Sequence, residues 1–107
     1  ASRKVKRESG VRPDAIATAN EPIALGVMRF LYEKGIRIPQ DISVSSYEDS
    51  VLGGYAAPAL TTVNIHKEYM GQFAAGMLLR RIENPNKEIE SISINPELVV
   101  RASVAKK

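Results

Sequence analysis

Pro13-Asp14-Ala15-Ile16-Ala17-Thr18-Ala19-Asn20-Glu21-Pro22 is the stretch that decides the fold. Ala15 to Ala19 is a short, almost uninterrupted apolar run, the pattern of a strand buried on both faces of a sheet. Asn20 then stands where a helix N-cap belongs, Glu21 favours the positive end of the helix dipole, and Pro22 is tolerated in the first turn. The helix is predicted from about Glu21 to Lys34, ending at Gly35, which can take the left-handed conformation of a C-terminal cap. Its apolar residues fall into two stripes, with Ile23, Val27, Phe30 and Leu31 on one side and Leu25, Met28 and Tyr32 on another. A helix resting on a sheet needs only one such stripe. The second fits a partner surface or a tightly enclosed core helix.

Downstream, Ile36 to Asp41 is a turn feeding a second strand, Ile42 to Tyr47. Glu48, Asp49 and a flexible stretch with Gly53-Gly54 follow, ending at Pro58, and Thr61-Thr62-Val63 is short and extended. A second helix is predicted over Lys67–Glu83. It places Met70, Phe73, Ala74, Met77, Leu78 and Ile82 at helical spacing, a core-packing stripe, with Asn84-Pro85 as its stop. Gly71 and Ala75 on its other face suit close packing against another element. Glu90, Ile92 and Ile94 alternate with serines as a half-buried strand would, and Leu98-Val99-Val100 is a last short strand. The order β-α-β-β-α-β-β, with helices between strands, predicts an α/β, Rossmann-like fold whose sheet is largely parallel.

Bulk properties narrow the function. At 107 residues the chain is one domain or a piece of one, and its 44% hydrophobic and 25% charged content is that of a globular protein. No apolar run is long enough to span a bilayer, and no secretory signal is read at the start. With no cysteine and one histidine, disulfides and thiolate metal sites are excluded and histidine-driven catalysis is weakly supported. Five basic residues against Glu8 give residues 1–13 a charge of +4 and leave 14–107 at −1. That basic stretch reads as a solvated helix or terminus leading into the first strand. The domain is not a basic nucleic-acid surface, and its few aromatics form no base-stacking platform.

In open parallel sheets ligands bind beyond the carboxyl ends of the strands. Asn20 closes the first strand and Glu48 the second. A carboxylate beside an amide suits a polyhydroxylated ligand, because one accepts hydroxyl protons and the other both donates and accepts. Asn20 as a plain helix cap and Glu48 as a solvated loop acid are the competing readings. Glu48 and Asp49 make a poor acid/base couple, since adjacent residues on an extended chain point apart. Gly53-Gly54 lacks the pattern of a dinucleotide or P-loop site, and Ser43, Ser45 and Ser46 have no histidine at a diagnostic spacing. His66, ahead of a helix, reads as a surface or capping residue. No catalytic residue, metal site or cofactor is expected, and an α/β enzyme is the least supported class.

Six signatures in order, Arg12-Pro13-Asp14-Ala15-Ile16, Ala19-Asn20-Glu21, Gly35-Ile36-Arg37-Ile38-Pro39, Tyr47-Glu48-Asp49, Pro58 to Val63 and Pro96 to Arg101, resemble the C-terminal third of the lactose-repressor/galactose-repressor family of transcription regulators. The resemblance covers nearly all of residues 11–104. It implies part of a two-lobed core like that of type I periplasmic binding proteins, with 1–63 and 96–107 in the C-terminal lobe and 64–95 contributed to the other lobe. It further implies a cytoplasmic repressor whose small effector, a sugar or sugar derivative, binds between the lobes and shifts their arrangement.

By that resemblance Asn20 and Glu48 match effector-contacting positions, and Leu25, Met28, Leu52, Tyr55 and Ala56 match a dimerisation surface of a homodimer or higher oligomer. Operator DNA would be met only through a helix-turn-helix head outside these residues, and no membrane is involved. The family usually has aspartate in place of Glu48, glycine in place of Ser46, and often Gln-Pro after Thr-Thr-Val, where this chain has Asn64-Ile65-His66. The alternative on the same architecture is a periplasmic-type solute-binding protein. An isolated chain of this kind is predicted to expose apolar faces of the 67–83 helix and the 88–94 segment, and so to rearrange, swap or oligomerise.

Overall fold

In the computed structural model, which describes residues 13–48 and 50–106, the strands β1 (Ala15–Ala17) and β2 (Ser43–Ser45) pair in parallel. Ala15 lies opposite Ser43, Ile16 opposite Val44 and Ala17 opposite Ser45. A parallel pair needs a crossover, and the helix α1 (Glu21–Glu33) provides it. Its start follows the sequence closely: the Asn20 side chain accepts a hydrogen bond from the Ile23 N–H at 3.0 Å. Gly35 ends the turn with φ 72°, a left-handed conformation that a Cβ would oppose. The basic stretch at residues 1–12, Asp49 and Lys107 lie outside the described residues.

The two predicted stripes of α1 are redistributed. Ala24, Met28 and Leu31 face inward, with Glu21 buried a turn before them, whereas Ile23 and Phe30 are at least half exposed. At 100° per residue, positions 24, 28 and 31 share one line over the sheet, and 23 and 30 fall to its flank. Met28 is 7% exposed inside the cluster of Ala24, Leu31, Ile36, Ile42, Val44 and Leu60. Met28, which the resemblance expects on a dimerisation surface, packs in this fold as a core residue. Burying a side chain such as Ile42 or Leu60 is worth about 1.5–3 kcal/mol.

β2 is held on both edges. Beyond β1, Val44 N–H donates to the Ser103 carbonyl at 3.0 Å, Ser46 N–H donates to the Thr61 carbonyl at 3.0 Å, and Ser45 bridges Thr61 in parallel. The turn before β2 is tied by the buried Asp41 carboxylate, which accepts from Arg37 N–H at 2.8 Å and from its guanidinium at 3.3 Å. That hydrogen bond first, then the carboxylate's charge, raises the Arg37 pKa above its ordinary value.

The stretch predicted to be flexible holds a short helix, α2 (Val51–Tyr55), despite its paired glycines. β3 (Thr62–Asn64) and β4 (Glu97–Val99) then form an antiparallel ladder, with Thr62 opposite Val99 and Asn64 opposite Glu97. The Rossmann-like α/β arrangement with flanking helices stands, its parallel part joined to this antiparallel pair. Between β3 and β4 runs α3 (Lys67–Glu83), with the predicted limits. Residues 88–94, predicted as a strand, form none, because no strand among the described residues lies alongside to share their hydrogen bonds.

No residue of α3 is buried, and Gly71 meets nothing within 4 Å, so the close packing expected of its small face is not found among the described residues. The radius of gyration is 19.2 Å, where a compact chain of this size has roughly 13 Å. The chain is thus a packed body, formed by residues 13–62 and 97–106, with an arm of residues 64–95 that projects from it.

Candidate functional site

Asn20 and Glu48 each lie three residues beyond the register pair Ala17 and Ser45, so parallel pairing carries both out of the same carboxyl edge of β1 and β2. Thr18 fastens this edge: its N–H donates to the Ser45 carbonyl at 2.9 Å and its hydroxyl to the same oxygen at 3.0 Å. Asn20 is half-buried, its carbonyl oxygen Oδ1 engaged with Ile23 and its amide group making no bond to a described residue. Glu48 is exposed and has φ 70°, unusual for a side chain other than glycine, asparagine or aspartate. The structure thus puts the two sequence-derived candidates on one edge. The Glu48–Asp49 pair cannot be described, because Asp49 lies outside the described residues.

A recess begins in the loop that follows β2. It has a volume of about 540 Å³ and is lined by Ser50, Val51, Asn64, His66, Lys67, Glu68, Tyr69 and Gln72. Neither Asn20 nor Glu48 is among its lining residues; it begins at Ser50, two residues past Glu48. Hydroxyl, amide, ammonium, carboxylate and phenol groups surround it, a set that can donate to and accept from several hydroxyls at once. His66 stands at the N-cap position of α3 with φ 54° and no capping bond from its side chain, and its N–H donates to Asn64 Oδ1 at 2.9 Å. Of the two readings of His66, surface or capping residue, the side chain does not take the second.

Sequence reasoning missed several of these residues. Ser50 and Asn64 directly follow the Tyr-Glu-Asp and Thr-Thr-Val signatures, a proximity that could have flagged them. Lys67, Tyr69 and Gln72 occupy the first turns of α3, a segment read only for its apolar spacing. Glu21, read as a dipole partner, is 3% exposed, and its carboxylate accepts hydrogen bonds from the N–H of Ser50 at 2.8 Å and from its hydroxyl.

The expected surface residues divide. Leu52 and Tyr55 on α2 are 64% and 83% exposed, Leu25 and Ala56 are half-buried, and Met28 is internal. Among the described residues, no cluster of three His, Cys, Asp or Glu is placed to hold a metal ion, and no helix is long and apolar enough to cross a membrane.

Comparison with known proteins places this geometry in context. Residues 1–104 match the family described as periplasmic binding protein-like domain. The transcriptional repressor PurR of Vibrio atlanticus is 44% identical over 93 residues, covering 87% of this chain and 28% of the relative. The ribose operon repressor of Haemophilus influenzae is 37% identical, with the same coverage of both chains. A solved transcription regulator of the lactose-repressor type from Bifidobacterium animalis superposes with a TM-score of 0.83 at 33% identity, covering 95% of this chain and 36% of that one. A regulator solved as a CelR–cellobiose complex gives 0.82 at 32% identity, covering 96% and 31%. The chain thus spans under a third of the length of the curated relatives it matches.

Proposed function

The chain belongs to the periplasmic-binding-protein-like family, on its lactose-repressor/galactose-repressor branch, and from that premise we propose that it is the C-terminal part of the effector-binding and dimerisation core of a cytoplasmic transcriptional repressor. The effector is a sugar or sugar derivative, and Asn20 and Glu48 take its hydroxyls. The observation that carries this reading is the matched exit of both residues from one carboxyl edge, with a recess of about 540 Å³ beginning at Ser50, two residues past Glu48. A neighbour solved with cellobiose supports a carbohydrate.

The two-lobe division follows from the same premise. The antiparallel β3–β4 ladder sets the outgoing and returning chain side by side at residues 62–64 and 97–99, as a crossover between lobes requires. Residues 64–95 then belong to the other lobe, which would cover the exposed face of α3. Leu25, Leu52, Tyr55 and Ala56 form the dimer face, without Met28. DNA is met through a head outside these residues. Effector binding favours one lobe arrangement, and such coupling typically changes affinity at the second site by about 5- to 150-fold.

The test is fluorescence anisotropy of the full-length protein on a duplex from the region upstream of its own gene, with and without ribose, cellobiose and sucrose. A change in DNA affinity with one sugar is expected. Absence of any DNA binding would favour the solute-binding alternative, against which the repressor relatives already count.

A further inference from the structure

We infer that Glu21 is a positioning residue: its buried carboxylate locks the loop that carries Glu48 onto the start of α1, and so presets the spacing between Glu48 and Asn20. The clasp itself is read from geometry alone, and its consequence for effector binding rests on the function proposed above. Glu21 accepts from both the N–H of Ser50, at 2.8 Å, and the Ser50 hydroxyl, although it is 3% exposed. A carboxylate taken out of water is costly unless it is met by donors, and these two, with the positive end of the α1 dipole, are its compensation.

The loop is built around that group. A Cβ placed on Gly53 would lie 3.0 Å from the Glu21 carboxyl carbon and closer still to Oε1, so any larger residue there would have to displace the carboxylate from its present place. Gly53 in turn accepts from Leu60 N–H at 2.9 Å, which ties the clasp to the chain entering β3. Glu48 hangs between two anchors. On one side Ser46 donates from its N–H to the Thr61 carbonyl at 3.0 Å and from its hydroxyl to Thr62 Oγ1 at 2.8 Å; on the other is Ser50, held by Glu21. A residue with φ 70° between two fixed points keeps that conformation only while both hold. Asn20, the other candidate group, is the neighbour of Glu21 in sequence, so the clasp joins the β1–β2 pairing and the Thr18 bonds in setting the distance between the two strand exits.

The test is hydrogen exchange on the full-length protein. In Glu21→Ala the amides of Ser50 to Ala56 are expected to exchange at least about tenfold faster, with Val44 in the core unchanged. Gly53→Ala, which pushes the carboxylate away, is expected to do the same, and the double variant to be no faster than Glu21→Ala alone, since nothing is left to clash with. Unchanged loop exchange, equal acceleration at Val44, or additive effects in the double variant would each overturn the clasp.

Calorimetry with ribose, cellobiose and sucrose supplies the second readout. Glu21→Ala is expected to weaken the sugar that binds by about tenfold. Glu21→Gln, whose amide can accept from the Ser50 N–H and donate to its hydroxyl, is expected to restore affinity to within roughly threefold. Sugar binding unaffected by Glu21→Ala would overturn the preset spacing. If the unmodified protein binds none of the three, the sugar reading fails, while the exchange result still decides the clasp.

Discussion

Asn20 combines a cap with a candidate ligand contact, and one substitution separates the two. Asn20→Asp keeps an oxygen for the Ile23 N–H and caps equally well, so stability measured by urea denaturation should stay within about 0.5 kcal/mol. It removes the amide donor, so sugar affinity in calorimetry should fall about tenfold. Unchanged affinity would leave Asn20 as a cap alone. Glu48 poses the opposite case. Its φ of 70° costs roughly 1 kcal/mol that glycine avoids, so Glu48→Gly should raise the denaturation midpoint while removing sugar binding. A lower midpoint would mean that the backbone there is unstrained. Both residues were legible in the sequence because each ends a predicted strand. Glu21 and Ser50 were not: their contact joins positions 29 apart, and no local pattern announces a tertiary hydrogen bond.

The helices show where local sequence suffices. α1 and α3 have the expected limits within a residue, because the Asn20 side chain caps the start of α1, Gly35 takes the left-handed turn after it, and Asn84-Pro85 stops α3. α2 was missed because two adjacent glycines argue against a helix, whereas Gly53 there leaves the Glu21 carboxylate in its place. The alternation at 90–94 was read correctly as alternation, but a strand also needs a neighbour. Ser103 is another tertiary device hidden in an apparently ordinary ending. Fully buried, it donates from its hydroxyl to the Val44 carbonyl at 2.5 Å and accepts from Thr61 N–H at 2.8 Å, joining β2 to the entry of β3. Ser103→Ala leaves both groups unpaired in the core and should lower stability by about 1–3 kcal/mol in urea denaturation. A change below about 0.3 kcal/mol would show that the two backbone groups find other partners.

At the scale of the whole chain, shape follows from what is uncovered. Tyr69, Leu78, Leu79 and Ile82 on α3 and Ile89 beyond it are all more than half exposed, a load of apolar surface that soluble monomers rarely carry. Light scattering on the 107-residue chain should therefore show mass rising with concentration; a monomer at high concentration would contradict this. In the full-length protein, Tyr55→Glu sets a charge on the 83% exposed ring position of the candidate dimer face and should shift sedimentation toward the monomer. Underneath these lies one geometric claim: an amide and a carboxylate leaving the same edge of a parallel pair grip one sugar. Calorimetry of full-length Glu48→Ala against ribose, cellobiose and sucrose tests it most directly. The expected result is loss of at least about tenfold in affinity for the sugar that the unmodified protein binds, with the fold intact by circular dichroism. Equal affinity in the two proteins would contradict it.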